Sequence, residues 1–165
     1  MSRNQYSFAF IGCSIMLAIF LSCFSLWTTA KPPRDHHSTL TRASKMKIQI
    51  EIAGTEQPVF VTLESSPTTQ DFIKQLPLSL KLSDYASSEK IATLPHRLSQ
   101  QSAPKGYTGQ AGDLTYYAPW GNLAIFYKDS DVGYANGLIF LGKIENLPKA
   151  FLSQSEFTVV IRQVK

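Results

Sequence analysis

The fold is decided by one stretch of the chain, Asp113-Leu-Thr-Tyr-Tyr-Ala-Pro-Trp-Gly-Asn-Leu-Ala-Ile-Phe-Tyr-Lys128. Strand-forming aromatic and β-branched residues stand on both sides of Ala118-Pro119-Trp120-Gly121. Proline restricts φ and glycine tolerates a positive φ, so this tetrapeptide favours a reversal of the chain. The stretch therefore predicts an aromatic strand, a tight turn and a second buried strand in one hairpin.

Toward the N-terminus, the pattern of short strands continues. Apolar and polar residues alternate over residues 48–52 and again over 59–63, with a glycine-containing turn between them, which predicts a half-buried hairpin. Ser66 followed by Pro67 favours the start of a short helix that ends before Pro77. Alternation resumes over residues 78–82, and a further strand is predicted over 89–94.

Toward the C-terminus, residues 99–112 and 129–137 are polar and contain glycine, so we predict loops for both. Strands are predicted over 138–145 and 157–164, with a helical turn over 147–152 between them. About eight short strands and two short helices predict a mainly β domain. Closure into an antiparallel β-barrel would remove the exposed strand edges.

The N-terminal part has a different composition. Residues 8–27 contain no charged residue and are followed by Thr28-Thr29-Ala30, so residues 1–30 predict a signal peptide that ends at Ala30. The 20-residue run also has the length of a membrane span, so a retained anchor over 8–27 is an alternative, and lipidation at Cys23 is a third. We expect an exported protein, periplasmic or secreted. Residues 31–45 predict a disordered linker, and 46–165 form the predicted domain.

Charge and cysteine content restrict the function of this domain. Five of the 16 Lys and Arg residues and one of the 12 acidic residues precede Met46, which leaves the domain formally neutral. A neutral domain gives no reason to expect nucleic-acid binding, and membrane contact is expected only through the N-terminal segment. Both cysteines, Cys13 and Cys23, precede the domain as well. Because no His and acidic cluster has ligand spacing, we expect no metal and no cofactor.

Several ordered blocks of the domain resemble the small bacterial cyclophilin-like fold proteins. The blocks are Pro77–Tyr85, Ser88–Ile91, Leu94–Pro95, Leu98–Ser99, Ala111–Asp113, Tyr116–Tyr127 and Gly137–Ile144. The resemblance implies a cyclophilin-like β-barrel. It does not imply prolyl isomerase activity, because the likeness to cyclophilins is one of fold.

Arg97 is the one candidate catalytic residue. His96-Arg97 followed by Gln110-Ala111-Gly112-Asp113 resembles the His-Arg and Gln-Gly-Gly-Asp of cyclophilins, in which the arginine acts on the prolyl peptide. A guanidinium suits that role because its fixed donors can stabilise the twisted amide electrostatically. The 12 residues between Arg97 and Gln110, and Ala111 in place of glycine, depart from that pattern. The alternative is an ordinary arginine on a surface loop.

Two hypotheses for the function follow. The first is a noncatalytic module that binds a peptide or a small molecule, with candidate ligand-binding residues Arg97, Gln110, Tyr117, Trp120 and Phe126. The second is a peptidyl-prolyl cis-trans isomerase that uses Arg97, which would need an open apolar pocket beside that residue. The aromatic residues have a simpler alternative role as packing in the barrel. Neither the ligand nor the oligomeric state can be read from the sequence.

Overall fold

The computed structural model describes residues 45–164. The first two strands of this part pair with each other as the predicted N-terminal hairpin. The strands of this part are β1 (Lys47–Ile52), β2 (Val59–Leu63), β3 (Leu78–Tyr85), β4 (Glu89–Thr93), β5 (Gly106–Thr108), β6 (Asp113–Tyr117), β7 (Asn122–Phe126), β8 (Tyr134–Asn136), β9 (Leu138–Ile144) and β10 (Glu156–Gln163). Its helices are α1 (Pro67–Lys74) and α2 (Ala150–Ser153).

Eight of these strands close into an antiparallel barrel in the order β1-β10-β3-β4-β7-β6-β9-β2. The prediction of an eight-stranded barrel with two short helices is confirmed. Both predicted loops need a correction, because β5 lies inside residues 99–112 and β8 inside 129–137. These two strands pair with each other as a separate ribbon. Each has only three residues, so neither is long enough to show an alternating pattern.

Helix α1 begins where the sequence predicts. The hydroxyl of Ser66 accepts a hydrogen bond from the backbone N–H of Thr69 at 3.1 Å, and Pro67 occupies the first turn. Phe72 is fully buried, so the helix packs one side against the barrel. The serine hydroxyl accepts a hydrogen bond from a backbone N–H group that has no partner within the helix, and proline has no N–H group that would need one. These two residues therefore determine the start of the helix.

Successive residues of β7 point to opposite faces and divide the apolar side chains into two clusters. Leu123 and Ile125 belong to the main core inside the barrel. Ala124 and Phe126 belong to a smaller cluster with Leu138 on the outer face. An outer face that is also apolar needs its own cover, and Tyr107 and Ala135 of the β5–β8 ribbon pack against it. The barrel wall formed by β4, β7, β6 and β9 is thus packed on both sides.

The predictions for the N-terminal part are the signal peptide or anchor over 1–30, lipidation at Cys23 and the linker over 31–45. They stay predictions, because residues 1–44 lie outside the described part of the chain. Within residues 45–164, no helix has the length and hydropathy that crossing a bilayer requires.

Candidate functional site

A cavity of about 270 Å³ opens on the outer face of the barrel, beside the small apolar cluster. Strands β4 and β7 form its base, and the end of β3, the β6–β7 turn and the β7–β8 loop border it. The lining residues are Tyr85, Ala86, Ser88, Glu89, Ile91, Tyr117, Trp120, Asn122, Phe126, Ser130, Asp131, Val132, Ala135 and Leu138. We refer to this cavity as the aromatic pocket.

Trp120 forms one side of the aromatic pocket. Its ring meets that of Tyr85 edge to face at 5.4 Å and that of Tyr117 at 5.3 Å. Tyr85 ends β3 and Tyr117 ends β6, and in the barrel these strands are separated by β4 and β7. The three rings therefore extend across the outer side of β4 and β7. Trp120 is still 53% exposed, so a large apolar surface is held in a defined position at the opening of the pocket.

Phe126 forms the floor of the aromatic pocket and depends on a glycine. A Cβ atom placed on Gly109 would lie 2.4 Å from the ring of Phe126, far inside contact distance. The absence of a side chain at Gly109 therefore lets the ring lie against the backbone, and Phe126 is 3% exposed. The glycine that precedes β6 in the supposed loop is thus a packing requirement of the pocket.

Glu89 brings an acidic group into this apolar surrounding. Its side chain is half-buried, and burial alone raises the pKa of the carboxyl from 4.5 to about 7. No described residue donates a hydrogen bond to the Glu89 carboxylate or forms an ion pair with it. Removing a carboxylate from water disfavours its charged form unless a cation or donors replace the water. The pocket thus contains a carboxyl group near its titration point at neutral pH.

Asn122 contributes a second unsatisfied acceptor. The residue is 4% exposed, and its Nδ2 atom donates to the carbonyl of Leu123 at 3.1 Å. That carbonyl is an acceptor, so it determines which end of the amide carries the nitrogen. The Oδ1 atom is buried and has no hydrogen-bond partner within residues 45–164. A buried acceptor without a donor is costly, and such atoms are few in native proteins.

The predicted site residues divide between three places. Tyr117, Trp120 and Phe126 come together in the aromatic pocket. Arg97 is outside the residues that line it. The guanidinium of Arg97 donates to the carbonyls of Ala118 at 2.7 Å and Pro119 at 3.4 Å, so it braces the back of the turn that carries Trp120.

Gln110 lies at a different cavity of about 340 Å³, next to Tyr107, Asp113 and Lys143. Asp113 is 1% exposed and accepts hydrogen bonds from the backbone N–H of Gln110 at 2.8 Å and from Tyr107 at 2.9 Å, and it pairs with Lys143 at 2.8 Å. Burial and the bond to Asp113 raise the pKa of Tyr107 to about 12, so its hydroxyl remains a donor. The Gln-Ala-Gly-Asp segment is thus a loop closed by its own aspartate.

Sequence reasoning missed Tyr85, Glu89 and Asn122. The parity of β4 was a usable signal, because Glu89 and Ile91 must share a face and Ile91 packs on the outer cluster. No pattern in the sequence indicates that the Oδ1 atom of Asn122 is left without a donor. Within residues 45–164, no three His, Cys or acidic side chains gather into a potential metal site.

The comparisons with known proteins agree with this architecture. A sequence model of the cyclophilin-like family matches residues 50–162. The chain is similar in structure to a hypothetical protein from Archaeoglobus fulgidus, with a TM-score of 0.58 and 15% identity, over 73% of this chain and 95% of the archaeal one. At that identity the similarity concerns the fold alone. No curated protein matches the chain.

Proposed function

Because the chain belongs to the cyclophilin-like family and has an open aromatic pocket on its barrel, we propose that the domain is a noncatalytic binding module. Its ligand is a small organic molecule, or a peptide side chain, with an apolar body that fills the aromatic pocket. The volume of about 270 Å³ suits a ligand of roughly ten heavy atoms rather than a whole peptide. The family assignment supplies the fold, and the proposal rests on the pocket.

The observation that carries the proposal is the exposure of Trp120. Trp120 lines the pocket and is 53% exposed while two tyrosines hold its orientation, so its free ring surface stands in a fixed position at the opening. Rigid, exposed aromatic rings lose little entropy when they bind, so they provide binding energy efficiently. Trp120, Tyr117 and Phe126 are the ligand-contacting residues in this proposal.

Arg97 has a supporting role in the proposed module. Both of its contacts to the turn are charge-assisted hydrogen bonds to carbonyls, so it fixes the position of Trp120 from behind. An arginine that acts on a prolyl peptide would need to face the pocket, and this guanidinium faces the turn. The geometry therefore favours binding over isomerisation, and no observation in residues 45–164 favours the isomerase hypothesis specifically.

Ligand-observed NMR with a library of small aromatic compounds tests the proposal. We expect several compounds to bind the full-length protein, and the variant Trp120→Ala to lose most of that binding. Tyr134→Ala is the matched control, because Tyr134 is also an exposed aromatic residue, 59% exposed, and is not among the lining residues. Equal binding by both variants, or no binding by the unmodified protein, would contradict a module of this kind.

We also propose that the domain acts outside the cytoplasm. The charge-free run over residues 8–27 and the small residues after it support export. N-terminal sequencing of protein recovered from the producing cells tests this, with Lys31 expected as the first residue. Recovery of the complete leader in the membrane fraction would favour the retained anchor, and a lipid on Cys23 would favour the third alternative.

A further inference from the structure

The aromatic pocket carries charge of one sign only. Glu89 and Asp131 are among the residues that line it, and no Lys, Arg or His is. The other titratable groups at its border are the hydroxyls of Tyr85 and Tyr117, from β3 and β6. The part of β7 that faces the pocket contributes the uncharged side chains of Asn122 and Phe126. A ligand in this space therefore meets two acidic groups and no basic side chain of its lining.

The unsatisfied polar groups of the pocket are acceptors. The carboxylate of Glu89 has no donor, and neither has the buried Oδ1 atom of Asn122, within the described residues. A ligand that satisfies them must supply N–H or O–H groups. Exposed aromatic rings add to this preference, because the face of an indole or phenol ring attracts a cation. Acceptors, acidic charge and aromatic rings all favour a positively charged donor.

The register of the strands indicates where the two acceptors lie. Glu89 of β4 is paired with Phe126 of β7, whereas Asn122 is paired with Thr93, four residues further along the strands. Four residues of strand span about 13 Å between backbone positions. Glu89 and Asn122 thus lie toward opposite ends of the pocket, with Phe126 beside Glu89 and Ile91 between the two ends. The ring of Trp120 borders this space, since it meets both Tyr85 and Tyr117. The ligand is elongated, with polar ends and an apolar middle.

We propose that the ligand is an organic amine whose ammonium group pairs with Glu89 and whose apolar body lies against Trp120 and Phe126. The other end of the ligand lies beside Asn122, whose Oδ1 atom is buried in the ligand-free protein and must turn toward the pocket to accept a hydrogen bond from it. This inference rests on the proposed binding function and specifies the chemistry of the ligand. It also explains why an acidic residue is kept in an apolar surrounding without a partner, since the partner is the ligand.

The titration of Glu89 makes the inference testable by pH. With a pKa of about 7, the carboxyl is about 90% ionised at pH 8 and about 3% ionised at pH 5.5. An aliphatic amine keeps its charge across this range. If the ammonium binds only the ionised form, its affinity should fall about 30-fold from pH 8 to pH 5.5. A neutral ligand should show no such loss.

The experiment compares tyramine with tyrosol, two probes that differ only in carrying an ammonium or a hydroxyl group. Calorimetry on the full-length chain at pH 8 should give tyramine an affinity at least about tenfold higher than that of tyrosol, because hydrogen bonds to charged groups are the stronger ones. The variant Glu89→Gln should remove that preference and its pH dependence while it retains tyrosol binding. Glu56→Gln removes an acidic charge from the distant β1–β2 turn, and this variant should keep the preference for tyramine and its pH dependence.

Three outcomes would overturn the inference. Equal affinity for both probes, or a preference for tyramine that persists in Glu89→Gln, would show that Glu89 does not recognise a cation, while tyrosol binding would leave the binding function intact. No binding of either probe up to millimolar concentration, by a protein with an intact near-UV spectrum, would overturn the binding function together with the inference.

Discussion

Glu89 and Lys90 are adjacent residues on opposite faces of β4, and the structure treats their charges in opposite ways. Lys90 is 2% exposed, and its ammonium contacts Asp84 at 2.5 Å and the carbonyl of Gln154 at 2.6 Å. Tyr127 donates to the same carboxylate oxygen at 2.7 Å. Glu89 lies on the pocket face, with its carboxyl desolvated and unpaired. Charges needed for the fold are satisfied internally, whereas the charge at the pocket is left for a ligand.

The largest effect is expected on the inner face, from Lys90→Ala. Removing the buried ammonium leaves Asp84 without its cation, with Tyr127 still donating to it, and leaves the carbonyl of Gln154 without its side-chain donor, so the free energy of unfolding should fall by about 3 kcal/mol. Urea denaturation measures this. Lys81→Ala is the matched control, since Lys81 pairs with Glu156 but is 66% exposed, and its loss should cost under about 1 kcal/mol. Equal effects of both substitutions would remove the contrast between the two faces.

On the outer face, Gly109→Ala should lower the free energy of unfolding by about 2 kcal/mol, because its Cβ would overlap the ring of Phe126. The same substitution in a Phe126→Leu background should cost less, since the smaller side chain can move aside. A double-mutant cycle by urea denaturation measures the difference. Strictly additive effects would show that Gly109 does not support the floor of the pocket.

Glu89→Gln should stabilise the ligand-free protein at pH 8, where the Glu89 carboxyl is ionised. A folded-state pKa raised from 4.5 to about 7 means that the unfolded chain releases its proton first, so stability is lost as pH rises through this interval. The shift bounds the loss at about 3 kcal/mol, and partial exposure of the side chain reduces it to between about 1 and 2 kcal/mol. Unfolding at pH 5 and pH 8 measures it. A pH profile that is the same with and without the substitution would refute an unpaired, desolvated carboxyl.

Arg97→Ala should lower the free energy of unfolding by about 1 kcal/mol, because it removes the hydrogen bonds to the carbonyls of Ala118 and Pro119. The loss stays small because water can replace the guanidinium at these carbonyls. Arg97→Lys should restore part of that loss. Denaturation followed by the emission of Trp120, in a Trp27→Phe background, reports on the turn itself. The unmodified protein and Arg97→Ala should also be compared in a prolyl-isomerisation assay. Activity of the unmodified protein that disappears in Arg97→Ala would favour the isomerase hypothesis over the binding module.

The smallest effect is the pH dependence of stability that Asp84 contributes, which has the opposite sign to that of Glu89. Hydrogen bonds from Lys90 and then Tyr127 lower the pKa of the Asp84 carboxyl below 3.8. The unfolded state then binds protons first, so the stability that Asp84 contributes is present above about pH 4 and is lost as pH falls below it. The unfolding midpoint, measured as a function of pH, should fall below about pH 4. Asp84→Asn should make this fall less steep. An equally steep fall in the Asp84→Asn variant would show that other carboxylates cause the sensitivity to acid.

Much of the barrel follows from local patterns. Alternating apolar residues place β1 to β3 and β10, and Ser66 with Pro67 places the start of α1, because period-two burial and helix capping depend on neighbours in the sequence. The Pro-Trp-Gly turn and its two flanking strands follow for the same reason. These signals also led to the aromatic residues of the pocket, since Tyr117, Trp120 and Phe126 all belong to this one hairpin.

The contents of the pocket depend on long-range packing. The ribbon of β5 and β8 joins segments about 30 residues apart, and such pairing leaves no local period to detect. Arg97 and Gln110 resemble a catalytic pattern in the sequence, but the fold directs the guanidinium to a turn and places the glutamine at another cavity. Whether Glu89 and Asn122 lack partners is decided by every neighbour that surrounds them. Hydrophobic period can be read along one strand, whereas the satisfaction of a buried charge is a property of the assembled barrel.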